Sequence, residues 1–311
     1  MGTEKGSRAG LSNLDLAYVF DMALAAPEEG IVARQMSPLW RTGGVTHGKI
    51  TISDYEDGAT VDVSDHRPER GPAQEIDRGD TSVRWKTEPK AFKITRDKKT
   101  LSRNPNRPAI ISDYYNTIAM QLMRKEEARI QAAADAAIVI TSNTATPSVK
   151  WDDTATTVRA DIWTVLRTVR LATYSRGKLD AMAIPLTVLE YLSNNAEIAA
   201  LATPPAYDRD NLTPMMVAAW MQSHFGFRRV AVADSPNWSE TVYFYRLGVD
   251  AGEVVNPETY PGTFVTPMAD EEMEMWELET SQHEIEFGVE WEVDAKVLHP
   301  ESLYSLTNVL T

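Results

Sequence analysis

The stretch Glu284-Ile285-Glu286-Phe287-Gly288-Val289-Glu290-Trp291-Glu292-Val293 leaves the fold little freedom. Apolar residues hold the odd positions and glutamates the even ones, with only Gly288 out of pattern. That alternation is the two-residue period of a strand, whereas a helix would scatter both sets around its axis. A strand with one dry face and one acidic face belongs to a sheet with one wet side. Met273, Met275, Trp276 and Leu278 mark a preceding strand of similar character, so an antiparallel sheet is expected in this part of the chain.

A long helix is the second organising element. Ser112 can cap it, with Asp113 in the first turn, and the run should reach about Ile140. Tyr115, Ile118, Leu122 and Met123 form its apolar stripe, with Ala119 beside it. Lys125, Glu126, Glu127 and Arg129 follow past the midpoint, and Gln131 to Ala137 is alanine-rich, a strong helix former. At about 1.5 Å per residue the element is on the order of 40 Å long. Shorter helices are expected over Val158–Tyr174, Thr187–Ser193 and Thr213–His224, and strands over Ala181–Ile184, Arg229–Ala233 and Thr241–Tyr245. The class is α+β, without an internal repeat.

The first hundred residues are of another kind. Residues 1–45 show no sustained periodicity beyond a short helix expected over Leu14–Leu24, and Val32 to Trp40 reads as an extended arm with apolar anchor points. Residues 46–97 suggest two strands, Lys49–Tyr55 and Val83–Lys86, the latter continuing through Ala91–Ile94. Between them lies a polar excursion containing Arg67-Pro68-Glu69-Arg70-Gly71-Pro72. A two-stranded ribbon is marginal alone in water, so it must lie on something. Two readings stand: an ordinary surface hairpin, or an arm docked on a neighbouring subunit. Residues 98–111, with Pro105 and Pro108, are expected to be irregular.

Charge and composition exclude several kinds of protein. The formal net charge is -14, with residues 1–150 near neutral and the deficit concentrated from Asp270 to Glu301. Such a surface repels nucleic acid, which argues against a dedicated DNA-binding protein but not against a wall that encloses DNA. Cysteine is absent, which removes disulfides, thiolate metal sites and thiol nucleophiles. No apolar run is long enough for a transmembrane helix, and Met1–Gly10 lacks a secretory pattern, so no membrane partner is expected. His47, His66, His224, His283 and His299 stand apart in the sequence, and no phosphate-cradling or nucleophile-elbow motif appears. The glutamates of 284–292 alternate along a face and do not surround a point, which suits a solvated or inter-subunit surface better than a calcium site. No catalytic residue, metal or cofactor is expected.

The order of these parts resembles the major capsid proteins of tailed bacteriophages with the HK97-like fold. Ile31 to Trp40 is similar to that family's arm before its E-loop, residues 46–97 to the E-loop, and Ile94-Thr95-Arg96-Asp97 with Asn104-Pro105 to the approach to its spine helix. Ser112–Ile140 resembles the spine helix. Met182-Ala183-Ile184-Pro185 and Val188–Leu192 are similar to an axial-domain strand and helix, and Ala295–Tyr304 to the closing strand with its proline. The resemblance implies an N-terminal arm at 1–45 and an E-loop at 46–97. It also implies a peripheral domain at 98–158 and 255–311 carried on a spine helix at 113–140, and an axial domain at 159–254. It implies a virion protein that builds pentamers and hexamers of itself around packaged DNA. A separate scaffolding protein, a portal and possible decoration proteins would be its partners. Lys49, Lys86, Lys90 and Lys93 lie in the E-loop region, yet no matched asparagine with a carboxylate base is marked, so covalent cross-linking is not expected. Candidate assembly residues are Arg67, Arg70, Arg78, Arg84, Trp85 and Lys86 on the E-loop, facing Glu284, Glu286, Glu290 and Glu292 of a neighbour, because charge complementarity fixes register. A shell of the same fold enclosing protein cargo, and a metal-dependent α+β enzyme, are the alternatives.

Overall fold

The computed structural model describes residues 32–53, 80–104, 106–153, 157–173, 178–202, 212–234, 238, 240–249, 254–257, 260–269 and 274–311. The helix expected at Leu14–Leu24 lies outside them, as do Arg67, Arg70 and Arg78.

After a one-turn helix α1 (Ala33–Met36) come the strands β1 (Leu39–Arg41), β2 (His47–Ser53), β3 (Asp80–Lys86) and β4 (Glu88–Asp97). The short helix α2 (Lys98–Ser102) and the long helix α3 (Arg107–Thr141) follow, then β5 (Thr144–Ala145) and α4 (Val158–Ala172). The middle of the chain holds β6 (Ala181–Pro185), α5 (Leu186–Asn194), α6 (Ala196–Ala202), α7 (Pro214–Phe225), β7 (Arg229–Ala233) and β8 (Val242–Tyr245). The last part adds β9 (Phe264–Met268), β10 (Glu274–Glu279), β11 (Glu284–Val293), β12 (Lys296–Val297) and β13 (Leu303–Leu306).

The acidic strand forms as its alternation requires. β11 pairs antiparallel with β4 from Glu284↔Asp97 to Val293↔Glu88, and on its other side with β10 from Glu290↔Glu274 to Ile285↔Glu279. Val293↔Met268 carries the sheet on to β9, which runs parallel to β1. Ile285, Phe287 and Val289 face the first half of α3 and pack with Ile111, Tyr115, Ile118 and Leu122, joined by Phe92 and Ile94 of β4. The Phe287 ring lies 5.7 Å from that of Tyr114 and 6.0 Å from that of Tyr115. Gly288 is needed for a steric reason: Trp276 lies across it, and a Cβ at Gly288 would stand 2.1 Å from the indole.

Four local expectations are corrected. The strand through Val83–Ile94 is two strands broken at Thr87: β3 stays with the ribbon, and β4 leaves it to pair with β11. The long helix begins before Ser112, which lies inside it. Pro108 is accepted in the first turn, where a missing N–H costs nothing and the fixed φ fits the helix. At 35 residues the helix is about 50 Å long. It ends at Ser142, in the left-handed region at φ 58°, whose N–H closes on the Ile138 carbonyl at 2.7 Å. Asp97 caps α2 by accepting the Thr100 N–H at 2.9 Å, so residues 98–102 are helical and not irregular. Likewise the arm is not wholly extended, since residues 33–36 make the turn α1.

A second sheet has the order β5-β13-β8-β6-β7. Met182, Ile184, Val242 and Phe244 on one face pack with Ile162, Val165, Val188, Leu189, Val217 and Met221 from the helices α4, α5 and α7. Ala181, Ala183, Ala231, Tyr243 and Tyr245 on the other face meet Ile130, Ala134, Ala137 and Ile138 of α3. The long helix therefore serves both sheets, its first half under the acidic strand and its second half under the central one. Gly288→Ala should cost about 1–3 kcal/mol by displacing Trp276, and Phe287→Ala about 3–5 kcal/mol by opening a cavity, both read as loss of stability in urea unfolding.

Candidate assembly interface

The ribbon of β2 and β3 runs in register from His47↔Lys86 to Ser53↔Asp80. Its two faces differ. Gly48, Ile50, Val83 and Trp85 share one face; Lys49, Thr51, Ser82 and Arg84 share the other, because side chains alternate. The first face rests on the chain's own core. Trp85 is 6% exposed and meets Trp40 edge-on at 4.9 Å, in a cluster with Ile50, Val255, Tyr260, Val265 and Leu298. Gly48 makes room for the indole, which would stand 2.9 Å from a Cβ there. Trp85 therefore anchors the ribbon on the chain's own core.

The second face is exposed and basic. Lys49 stands directly opposite Arg84, and His47 opposite Lys86, and all four are exposed. Like charges opposed across a ladder repel, so this face is best matched by negative charge from outside the ribbon.

The glutamates of β11 share the sheet face turned away from α3. Lys93 donates to Glu286 Oε1 at 2.8 Å, and Thr95 donates to the same oxygen at 3.4 Å. Thr87 donates its hydroxyl to Glu292 Oε1 at 2.7 Å and its N–H to the Thr46 carbonyl at 2.8 Å, which ties the ribbon's root to the acidic strand. Glu284 and Glu290 carry no ion pair among the described residues. At the other end of the sheet, burial pushes the Glu277 carboxyl above its usual range; the Arg107 guanidinium 3.5 Å away opposes that shift and Glu279 adds to it.

Two features escaped the sequence reading. Glu126 and Glu127 are buried on α3, at 2% and 0% exposure. Glu127 Oε1 accepts the Val32 N–H at 2.8 Å, and Val32, Ala33 and Met36 pack against the same stretch of helix. Ser37 and Thr266 share a hydroxyl hydrogen bond at 2.8 Å, so the arm is pinned at both ends of α1. The periodicity held the signal: position 127 lies four residues after Met123 and three before Ile130 on the apolar stripe. The second feature is a cleft of about 300 Å³ at the ribbon's root, lined by Lys86, Lys90, Arg129, Val293, Asp294 and Lys296. It joins cations that lie far apart in sequence, which no local pattern could have signalled.

Among the described residues, no group of three or more histidine or acidic side chains is placed to hold a metal ion, and no helix is long and apolar enough to cross a membrane. Replacing Glu127 by alanine should cost about 1–3 kcal/mol, since the buried Val32 N–H loses its acceptor. Trypsin should then cut faster at Arg41, with Glu127→Gln, which keeps an acceptor, falling between.

In sequence, no family model and no curated protein matches the chain. In structure the likeness is extensive. A phage-related protein from Bordetella bronchiseptica is 11% identical with a TM-score of 0.65, covering 94% of this chain and 96% of that one. A protein of Microbacterium phage Oxtober96 is 10% identical with a TM-score of 0.59, covering 96% and 99%. The capsid of Myoviridae phage XM1 is 10% identical with a TM-score of 0.55, covering 89% and 91%. The fold of this chain is the HK97-like fold of phage capsid structures.

Proposed function

We propose that this chain is the major capsid protein of a tailed phage, assembling as pentamers and hexamers into an icosahedral head that encloses DNA. The observation that carries the reading is the likeness to phage capsid structures along nearly the whole length of both chains. A partial match could be one shared module; a match over about nine-tenths of both chains supports a shared whole fold.

In this reading residues 1–45 are the arm, 46–97 the E-loop, 98–158 and 255–311 the peripheral domain, and 159–254 the axial domain. The basic ribbon face, with Arg84 and Lys86, meets carboxylates of an adjacent copy, Glu284 and Glu290 foremost because Glu286 and Glu292 are engaged within their own chain. Arg67, Arg70 and Arg78 contribute from the excursion. The exposed Trp163, Leu171, Tyr191 and Met215 on the helices of residues 158–225 supply apolar area for contacts between copies. A separate scaffolding protein and a portal would complete the head, and the virion is its location. The reading assigns no catalytic residue and no cofactor.

A shell holding protein cargo is the second reading; the likeness to a virus-like particle from Pyrococcus furiosus, with a TM-score of 0.56, supports a shell under either reading. Negative-stain microscopy of the purified chain, alone and with a co-expressed scaffolding protein, should show closed shells or rings of five and six. A chain that stays monomeric under both conditions would sink the shell reading. Arg84→Glu should impair assembly and leave the monomer's unfolding midpoint within about 0.5 kcal/mol of wild type, because the side chain is exposed.

A further inference from the structure

Helix α4 carries a face that the fold does not use. Val158, Ile162, Val165 and Val169 turn one side of it into the core of the central sheet. Arg159, Trp163, Arg167 and Arg170 lie on another side, within about 80° of arc at 3.6 residues per turn, and all four are exposed. Among the described residues none of the three arginines has a hydrogen bond or an ion pair. The helix's single carboxylate, Asp161, is engaged elsewhere: it accepts the Trp151 indole N–H at 3.0 Å and the Thr157 hydroxyl at 2.8 Å. Trp163 is 49% exposed, and its ring is held edge-on by Phe225 at 5.5 Å. Phe225 also meets Trp220 at 5.9 Å and His224 at 4.9 Å, and His224 stacks on Trp220 at 5.1 Å. An aromatic surface thus continues from α4 onto the end of α7, beside a row of unpaired guanidiniums.

We propose that this face binds a single strand of nucleic acid, without regard to base sequence. The inference goes beyond the shell reading, in which DNA is enclosed but not held at a site, and it reassigns Trp163 from contacts between copies to a ligand. Three guanidiniums spread over about 16 Å of helix suit several phosphates of one strand, each a hydrogen-bond partner as well as a counter-charge. Trp163 stands between them, with Arg159 one turn before it and Arg167 one turn after. A fixed, half-exposed indole is a platform on which an unpaired base stacks whatever its identity, and a duplex hides that base face. An acidic protein segment would match the arginines but bring nothing flat to the indole, which makes it the poorer fit. The net charge of -14 does not decide against a strand here. Its deficit is concentrated from Asp270 to Glu301, largely on strands of the other sheet, and strand binding is governed by the phosphates neutralised locally.

The test is fluorescence anisotropy of a labelled oligothymidylate of about 20 nucleotides added to the purified full chain. Saturable binding is expected. Log affinity should fall against log salt concentration with a slope of about -2, since each phosphate neutralised on a single strand contributes about 0.7. Arg167→Gln should weaken binding severalfold and flatten the slope by about 0.7. Trp163→Ala should weaken it about tenfold or more and leave the slope unchanged, and Trp163→Phe, which keeps a ring, should fall between. A duplex of the same length should bind more weakly, and polyglutamate of matching charge should not displace the strand. Each variant is first checked for wild-type circular dichroism; should Trp163→Ala fail to fold, Arg167→Gln, at an exposed position, carries the test through the salt slope. The proposal is overturned if the oligonucleotide does not bind at low salt, if the variants bind as wild type does, or if a duplex binds as tightly. Displacement by polyglutamate would also overturn it and mark the face as a docking site for an acidic protein. Closed shells from a chain that ignores the oligonucleotide would refute this site and leave the shell reading intact. Strand binding by a chain that forms no shells would support the site and count against that reading.

Discussion

The pairing of β4 with β11 fixes the position of nearly everything else of interest. Along it, a strand from the first third of the chain meets one from the last part, from Asp97↔Glu284 to Glu88↔Val293. The pairing closes the apolar layer over α3, because Phe92 and Ile94 join Phe287 against the helix. It also sets the root of the ribbon, since β3 is one residue from β4 and that residue, Thr87, hydrogen-bonds both Glu292 and the opposite ribbon strand. It brings Lys93 to Glu286. The cleft is lined from both sides of the same pairing, by Lys90 of β4 and Val293 of β11. Without it the ribbon would have its own two-stranded ladder and a partial apolar base, which is little for a hairpin in water.

The long helix is the other shared element, and its two halves use different chemistry. The first half fills its contact with aromatic and branched side chains, which demand volume from the facing sheet. The second half sets Ile130, Ala134, Ala137 and Ile138 against Ala181, Ala183, Tyr243 and Tyr245. Between them stand the two buried glutamates. Burying a carboxylate is unfavourable unless it is hydrogen-bonded, so Glu127 is stable there because the arm brings the Val32 N–H to it. Arm and helix are thus mutually dependent: neither polar group has a good environment alone.

Much of the fold was legible in the sequence because its elements obey strong periods. Strands 229–233 and 284–293 and the helices near 158, 187 and 214 fall where periodicity, Pro185 and Thr213 put them. What was not legible depended on partners far along the chain. Nothing local in Val83–Ile94 says that Thr87 divides a ribbon strand from a sheet strand; that follows from β11 lying two hundred residues away. Ser112 looked like a helix start because its side chain suits a cap, yet Pro108 fits the first turn equally well and the packed stripe reaches back to Ile111. The acidic stripe was correctly read as one face, but its division into engaged and open glutamates required the positions of Lys93 and Thr87. The burial of Trp85 was not legible for a related reason: it depends on Trp40, far along the chain, and on the space left at Gly48.

The central sheet has a consequence for how the chain is made. β13, at residues 303–306, lies inside that sheet, between β5 and β8, and Val309 just beyond it accepts the Trp151 N–H. During synthesis, β5, β8 and the helices emerge long before the strand that joins them. A nascent chain therefore cannot complete this sheet until the ribosome has passed residue 306, and an interrupted product carries a gap in its middle, not a frayed edge. Only chains translated through this stretch acquire the complete central sheet.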